Sequence, residues 1–313
     1  MKIAFVGKGG SGKTTLTGLF IQYLLKEDKK IIAIDADINV GLAESLWISI
    51  SDERFLSKPE NTKKIREKLI WKNKRIISAG HFVKTTPPAN GSYIIDLEKQ
   101  AFFDEFASYS DEKLKFFHVW TYKKDEIWVS CYHTHLSILE NIISHAQFWK
   151  NEYMIVDMVA WNDSFSNTLH AQFDVIFLIV EPTIESVNMI KTFMDLAHHS
   201  NETSQIICIW NKIEDEEDIE FIKNNSIELS FFIPYNKNYK KYRRQWEIIL
   251  EDEVKNIFDA ILKYLDENIQ IERNKKLRDL HELHKRYIEL DYIKWPLWDL
   301  SEQIDLDFRF PIC

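Results

Sequence analysis

Residues 1–16 read MKIAFVGKGGSGKTTL and place a glycine-rich loop between an apolar run and a helical pattern. Residues 2–6 are mostly apolar with β-branched members and predict a short strand, whereas the leucine and aromatic spacing over residues 16–24 predicts a helix. A strand, a GxxxxGK(S/T) loop and a helix in this order are typical of a P-loop, which wraps phosphate groups. The sequence therefore predicts a phosphate-binding site near its amino-terminal end.

Each residue type in the loop has a predicted role. Glycine lets successive backbone amides curl around phosphate oxygens, and the start of the next helix adds the positive end of its dipole. Lys13 would bring a positive charge to the β- and γ-phosphates, and the Thr14 hydroxyl suits Mg²⁺. We expect the nucleotide to contact Gly9, Gly10, Ser11, Gly12, Lys13, Thr14 and Thr15.

Composition narrows the class of protein. The 313 residues are enough for one large domain or two small ones, and the net charge of −9 argues against a general nucleic-acid binder. Three scattered cysteines form no disulfide framework, which fits a reducing compartment. The chain starts with a strand pattern instead of a signal segment, and no apolar run approaches the ~20 residues that span a bilayer. We expect a cytoplasmic protein.

Further apolar runs alternate with helical patterns and predict an α/β fold with a doubly wound, mostly parallel sheet and helices on both faces. Ligands bind such sheets at the carboxyl ends of the strands. Asp37 follows the second strand and Asp157 ends the YMIVD strand, so both are candidates for the Mg²⁺ shell and the attacking water. Asp35 has two open interpretations: a position near the phosphates, or a structural acceptor for loop amides.

Other stretches give coarser predictions. We interpret residues 58–64, KPENTKK, as an exposed loop inside a helical stretch, and residues 114–120 and 126–130 as two strands that form a hairpin or lie side by side. Residues 246–265 and 272–293 predict amphipathic helices. The predicted organisation is a P-loop domain over residues 1–265 and a helical, aromatic carboxy-terminal extension over residues 266–313.

The loop KGGSGKTT, with Lys8 directly after its first glycine, resembles the deviant Walker A motif of the MinD/ParA/nitrogenase-iron-protein superfamily. In that superfamily the extra lysine crosses a dimer interface to the partner's nucleotide, so the resemblance implies an ATP-dependent sandwich homodimer. It also implies that Asn211 reads the adenine edge, with Lys212 beside it and Pro234 in the next base-contacting loop. NKIE, residues 211–214, is also similar to the guanine-reading NKxD motif, which leaves guanine as the minority alternative.

Within this superfamily, residues 1–240 resemble the CooC-type ATPases, accessory proteins for nickel insertion into carbon monoxide dehydrogenase. The resemblance rests on the P-loop and on the blocks AIDAD, WVSCYHTHLSILENI, VDMVA and FLIVEPTIESVNMIKTF. It implies a slow ATPase switch that acts on a protein client, with Lys8, Lys13, Asp37 and Asp157 as the candidate catalytic residues.

Two departures from that family bear on function. Its metal-binding Cys-x-Cys pair reads Cys131-Tyr132-His133 here, with His135 two residues further on. A thiolate and imidazoles suit Zn²⁺ or Ni²⁺ at a dimer interface, so Cys131 is a candidate ligand, and ordinary buried or helix-capping residues are the alternative.

The second departure concerns the switch DMEAG, which reads DMVAW over residues 157–161, and no glycine follows Gly91 anywhere in the chain. ATP binding should survive this change, but coupling to hydrolysis is in question because a switch glycine normally supplies a flexible amide. The alternative function is therefore an ATP-binding scaffold or regulatory subunit with weak or no hydrolysis.

The carboxy-terminal extension has three possible roles: it packs on its own domain or across the dimer, it docks a partner, or it lies on a membrane. Acids such as Glu282, Glu289 and Asp291 mix with its bases, which disfavours an anionic bilayer. We expect it to pack against the protein itself.

Overall fold

The computed structural model describes residues 1–120, 132–158, 168–199, 205–225, 230–239, 249–297 and 299–311. The first elements are β1 (Lys2–Gly7), α1 (Lys13–Lys26), β2 (Lys30–Asp35), α2 (Gly41–Ser45), α3 (Pro59–Ile70), α4 (Gln100–Phe106), β3 (Tyr109–Ser110) and β4 (Leu114–His118). The next are α5 (Tyr132–Ser144), β5 (Glu152–Asp157), β6 (Val175–Val180), α6 (Ile184–His199), β7 (Gln205–Ile213), α7 (Glu216–Asn224) and β8 (Ser230–Pro234). Three helices complete the order: α8 (Asp252–Asn268), α9 (Arg273–Ile288) and α10 (Asp291–Leu297).

The strands form one sheet in the order β3-β4-β2-β5-β1-β6-β7-β8. Among these strands only the edge strand β3 is antiparallel to its neighbour, which confirms the predicted α/β class. The central strand β1 pairs with β5 on one side and β6 on the other, and the chain adds β2 and β6 on opposite sides of it. The order in which the chain adds strands therefore reverses at β1. A reversal of this kind opens a crevice at the carboxyl edge of the sheet, where the P-loop lies.

Side-chain alternation divides the core between the two faces of the sheet. Ile3 and Phe5 of β1 join the cluster that packs against α1, α2 and α8, whereas Ala4 and Val6 join the cluster under α3 to α6. Strands buried on both faces have apolar residues at consecutive positions, which explains why these runs lack a two-residue period. The sheet is therefore held between two helical layers, and its carboxyl edge stays open for a ligand.

The carboxy-terminal extension packs on the α/β core. Helix α9 contacts residues 170–172, and the buried Gln303 and Asp305 bind the 84–92 loop through Thr86 and Asn90. This agrees with the expectation that the extension covers its own domain, while the boundary at residue 265 stays a prediction. Within the ranges given above, no helix combines the length and the apolarity needed to cross a bilayer.

Two local predictions were wrong. Residues 58–64 are not an exposed loop, because α3 begins at Pro59, a residue that suits the first helical position, and buries Ile65 and Leu69. The predicted helix over residues 272–293 is divided, since α9 ends at Ile288 and α10 begins at Asp291.

The strand predicted over residues 114–120 forms β4, which pairs with β2 and β3. Its proposed neighbour, residues 126–130, lies outside the described residues. The helix predicted over residues 246–265 is α8, which the structure places between Asp252 and Asn268.

Candidate nucleotide-binding site

The P-loop connects β1 to α1 at the carboxyl edge of the sheet. Ser11 N donates to Lys8 O over 3.1 Å, and Leu16 N donates to Gly12 O over 2.9 Å as α1 begins. Gly10 and Gly12 have φ angles of 91° and 90°, in the left-handed region that favours glycine. These glycines therefore allow the tight turn that a phosphate-binding loop needs.

Lys13 lies between two of the predicted aspartates. Its Nζ is 2.5 Å from Asp157 Oδ1 and 3.1 Å from Asp37 Oδ2, and the side chain is only 7% exposed. Burial by itself would lower the pKa of the Lys13 ammonium, but the carboxylates of Asp157 and Asp37 outweigh it and raise that pKa. The lysine is therefore positively charged at neutral pH and is held where the loop would meet a triphosphate.

The hydrogen bonds of Asp35 match its second interpretation, a structural acceptor for loop amides. Its carboxylate accepts hydrogen bonds from Leu42 N at 2.9 Å and from Asp37 N at 3.1 Å, and so holds the turn that carries Asp37. Burial and the nearby Asp157 raise the pKa of Asp35 to about 8. Burial likewise raises the pKa of Asp157, despite the opposing charge of Lys13.

The oxygen atoms at this edge suit Mg²⁺, which prefers carboxylate and hydroxyl ligands together with phosphate and water. Asp157 Oδ2 and Ser11 Oγ are buried and have no hydrogen-bond partner among the described residues. The described ranges contain no group of three or more His, Cys, Asp or Glu side chains that could hold a metal. Asp37, Asp157 and Thr14 would hold Mg²⁺ together with the phosphates of a bound nucleotide.

The residues predicted to contact the base lie beside the P-loop. Asn211 Nδ2 donates to Ser11 O at 2.7 Å, and Lys212 Nζ donates to Gly10 O at 2.7 Å. Lys212 also forms an ion pair with Glu181, the first residue of the EPTIES segment. The end of β7 is thus fastened to the P-loop by two side chains that follow each other in the sequence.

A cavity of about 480 Å³ opens at this place, a size within the usual range of about 300–1,000 Å³ for small-molecule sites. Its lining includes the predicted Gly10, Gly12, Thr15, Asn211, Lys212 and Pro234, together with Tyr235, Asn236 and Tyr239. The sequence analysis missed Tyr239 and the pairing of Lys212 with Glu181. The only available signal in the sequence was the position of Tyr239, five residues after the predicted base-contacting Pro234.

Lys8 is exposed, and its side chain makes no ion pair or hydrogen bond with any described residue. Gly9 is also exposed and has open space around it. Lys8 is therefore available to a second molecule, whereas Lys13 is buried inside the site and paired with Asp37 and Asp157.

The candidate metal ligands are only partly covered by the structure. Cys131, Val159 and Trp161 lie outside the described residues, and so does the side chain of His133. The ring of His135 stacks on Trp120 with 4.2 Å between centroids and 12° between planes. The Zn²⁺ or Ni²⁺ site therefore stays a prediction.

Comparisons with known proteins agree with this geometry. A protein of Methanocaldococcus jannaschii described as an uncharacterised ATP-binding protein is 23% identical over 270 residues, which cover 84% of this chain and 100% of that protein. The carbon monoxide dehydrogenase accessory protein CooC of Rhodospirillum rubrum is 24% identical over 242 residues, which cover 75% of this chain and 84% of CooC.

Proteins of known structure share this fold as well. The ParA family ATPase of Chlorobium tepidum TLS matches with a TM-score of 0.56 at 17% identity, over 83% of this chain and 97% of that structure. The CobQ/CobB/MinD/ParA nucleotide binding domain family matches residues 3–276, which is most of the chain. The superfamily resemblance read from the P-loop is thereby confirmed, and the chain belongs to the CobQ/CobB/MinD/ParA family of nucleotide-binding domains.

Proposed function

We propose that this protein is a Mg²⁺-dependent ATPase that closes into a nucleotide-sandwich homodimer and acts as a switch on a partner protein. The observation that carries the proposal is the position of Lys13, which is buried between Asp37 and Asp157 at the P-loop. A charged lysine that two carboxylates hold at a phosphate-binding loop is poised to exchange one of them for a phosphate oxygen.

Phosphoryl transfer requires positioning and charge neutralisation more than covalent chemistry from the protein. In the proposed complex the loop amides and Lys13 would orient the phosphates, and Asp37 and Asp157, freed from their pairing with Lys13, would hold the metal and the attacking water. The metal, when bound, neutralises charge on the phosphates. The Thr14 hydroxyl at the start of α1 would supply a further oxygen ligand.

Adenine is supported over guanine by the positions of Asn211 and Glu214. Asn211 lines the 480 Å³ cavity, whereas Glu214, which stands where the guanine-reading motif has its aspartate, is exposed and does not line it. The ATP-binding relative of M. jannaschii supports the same choice.

The homodimer is supported by Lys8. An exposed lysine with no partner among the described residues, directly beside the phosphate loop, can reach the triphosphate of a second copy. Its charge would then couple nucleotide occupancy to dimer closure, because each triphosphate attracts a cation from the other subunit.

The client is proposed to be a protein under metal-centre maturation, a role suggested by the similarity to CooC. Cys131 would be the ligand at the dimer interface. Metal analysis of the dimer tests this: wild type should carry about one Zn²⁺ or Ni²⁺ per dimer, and Cys131→Ser should lose it. Equal metal content in the two proteins would remove the maturation role and leave the ATPase intact.

A second function is favoured by the sequence of the switch. Trp161 occupies the place where a flexible glycine is expected, and no glycine follows Gly91. The protein would then be an ATP-binding scaffold or regulatory subunit that dimerises with nucleotide and hydrolyses it poorly.

One pair of measurements separates these functions: ATP turnover, and the mass of the protein in solution with and without a non-hydrolysable ATP analogue and Mg²⁺. A switch should dimerise and turn over, and Lys13→Ala and Lys8→Ala should each lose turnover. Lys26→Ala, at the exposed end of the same helix α1, is the matched control and should behave as wild type.

Dimerisation without turnover would support the scaffold. A protein that binds the analogue and stays monomeric would contradict the sandwich, and one that ignores the analogue would contradict nucleotide binding as a whole.

A further inference from the structure

A second cavity, of about 630 Å³, lies at the opposite edge of the sheet from the P-loop. Its walls come from Met1 before β1, from residues 149–153 at the start of β5, and from residues 265–278 at the junction of α8 and α9. We call it the basal cavity. The nucleotide cycle proposed above uses none of these residues, and much of the wall exists only because the carboxy-terminal extension covers this edge.

Positive charge prevails in the basal cavity, although the whole chain has a net charge of −9. Four cations line it, Lys150, Arg273, Lys275 and Arg278, against the three acids Glu152, Asp266 and Glu272. Two of the acids are already engaged, since Glu152 accepts from Trp149 N at 2.8 Å and Glu272 pairs with Lys275 at 3.1 Å.

Two of the cations have no partner of their own. Lys150 and Arg278 are exposed, and neither forms an ion pair or hydrogen bond within the ranges that the structure describes. Arg273, by contrast, donates to Phe148 O and lies with its guanidinium 5.5 Å from the centre of the Trp149 ring. The free positive charge in the cavity wall therefore belongs to Lys150 and Arg278.

Apolar surface lies directly beside these charges. Trp149 is 38% exposed and Ile271 is 39% exposed, although both are large apolar side chains. Leu265, Ile269 and Pro311 extend the same wall. A volume of about 630 Å³ that combines an apolar wall with unpaired cations is the usual composition of a site for a small organic molecule.

We propose that the basal cavity is a second ligand site, which binds a small organic anion with its charge at one end and a planar apolar body at the other. The anionic group pairs with Lys150 and Arg278, and the apolar body packs on Trp149 and Ile271. Arginine favours oxyanions because its planar guanidinium offers a fork of donors, which fits two oxygens of a phosphate or carboxylate group.

The test uses anilinonaphthalene sulfonate, a fluorescent probe with a planar body and one anionic group. The protein is first saturated with a non-hydrolysable ATP analogue and Mg²⁺, so that the P-loop site is filled. We expect one probe per chain, and a tryptophan quenching signal that is absent in Trp149→Phe. Arg278→Glu and Lys150→Glu should each weaken probe binding by about tenfold or more.

Arg286→Glu is the matched control. Arg286 is exposed on the same helix α9 and does not line the cavity, so this variant has the same net charge as Arg278→Glu. Probe affinity in Arg286→Glu should stay close to that of wild type. If Arg286→Glu and Arg278→Glu weaken binding equally, or if wild type binds no probe once the P-loop is filled, the proposal fails.

Competition then examines the chemistry of the ligand. Phenyl phosphate and benzoate should displace the probe well below the concentration of inorganic phosphate that does so, because only the organic anions also fill the apolar wall. Equal displacement by inorganic phosphate would contradict an organic ligand and reduce the cavity to a simple anion site.

Discussion

At the scale of single residues, Gly12 has a tightly constrained position in the nucleotide site. Its φ of +90° is in the left-handed region, and a Cβ at this position would lie 2.3 Å from Asn211 Nδ2. Asn211 in turn holds Ser11 O at 2.7 Å. One backbone position therefore controls both the shape of the phosphate loop and the contact between that loop and β7.

Replacing Gly12 by alanine should disrupt this contact. Strain from the left-handed backbone should cost about 1–2 kcal/mol of folding free energy, and the displaced Asn211 should lower ATP affinity about tenfold or more. Urea unfolding and equilibrium nucleotide titration measure the two effects. Gly80→Ala is the control, since the nearest atom to its Cβ is Ser78 Oγ at 3.6 Å, and it should change stability by at most about 0.5 kcal/mol. An unchanged affinity in Gly12→Ala would show that Asn211 does not position the loop.

Glu140 is a fully buried carboxylate in α5 that no proposed function uses. Thr168 donates to its Oε2, whereas its Oε1 has no hydrogen-bond partner in the described residues and lies 4.0 Å from Lys84 Nζ. Burial raises the pKa of Glu140 from 4.5 to about 7, and Lys84 offsets only part of this shift.

Glu140 should make the protein less stable as the pH rises. Between the unfolded pKa of 4.5 and the folded pKa of about 7, only the unfolded chain loses the proton, so the free energy of unfolding should fall by about 1.4 kcal/mol per pH unit, roughly 3 kcal/mol in total. Glu140→Gln should remove this contribution, because glutamine keeps an acceptor for Thr168 and does not ionise. Urea unfolding of both proteins at about pH 5 and about pH 8 measures it. The exposed Glu220→Gln should keep the wild-type slope, and a wild-type slope in Glu140→Gln would contradict the prediction.

At the scale of elements, helix α8 closes one face of the sheet by packing on α1. The Phe258 ring lies 5.2 Å from Phe20 and 5.6 Å from Tyr23, and Val254, Ile261 and Leu265 of α8 are also buried. Helix α1 begins at Lys13, the last P-loop lysine. The packing of α8 therefore stabilises the helix that carries the phosphate site.

Phe258→Ala should destabilise the protein by about 3–5 kcal/mol, because it removes a fully buried ring and leaves a cavity between α1 and α8. Phe258→Leu should recover part of this loss, since leucine refills some of the volume. Chemical denaturation measures both. Lys263→Ala on the exposed side of the same helix is the control and should stay within about 0.5 kcal/mol of wild type, and an equally small effect of Phe258→Ala would mean that α8 contributes little to the fold.

At the scale of the whole molecule, two buried polar side chains of the carboxy-terminal extension, Gln303 and Asp305, join it to the core. Asp305 accepts hydrogen bonds from Asn90 N at 3.0 Å and from Asn90 Nδ2 at 2.9 Å, and lies 3.5 Å from Arg75. Gln303 Nε2 donates to His81 O at 2.7 Å. The extension is thus part of the folded unit in the described ranges, although it follows the region of strand and helix alternation.

Asp305→Ala should cost about 1–3 kcal/mol, because the buried carboxylate of Asp305 accepts two hydrogen bonds from Asn90 and pairs with Arg75. Asp305→Asn keeps an acceptor oxygen and should lose less. Asp307→Ala, an exposed aspartate two residues further on, should have little effect. Thermal unfolding of the three variants provides the comparison, and equal stability of Asp305→Ala and Asp307→Ala would show that the extension is not anchored at this point.

What could be predicted from the sequence was local. The P-loop, its strand and helix, the α/β class and the aspartates at strand ends follow from short patterns of glycine, apolar and acidic residues. The same local signals failed at Pro59, because a polar stretch after proline fits an exposed loop as well as the first turn of a helix whose Ile65 and Leu69 become buried only in the fold.

The sequence by itself determined the family, the phosphate loop and the candidate ligands, because each is encoded within a few neighbouring residues. Only the tertiary structure decided which of them meet. Lys13 reaches Asp157 across 144 residues of sequence, and Asn211 reaches Ser11 across 200. The basal cavity likewise combines residues 149–153 with residues 265–278. Such contacts depend on strand order and helix packing, which no short stretch of sequence specifies.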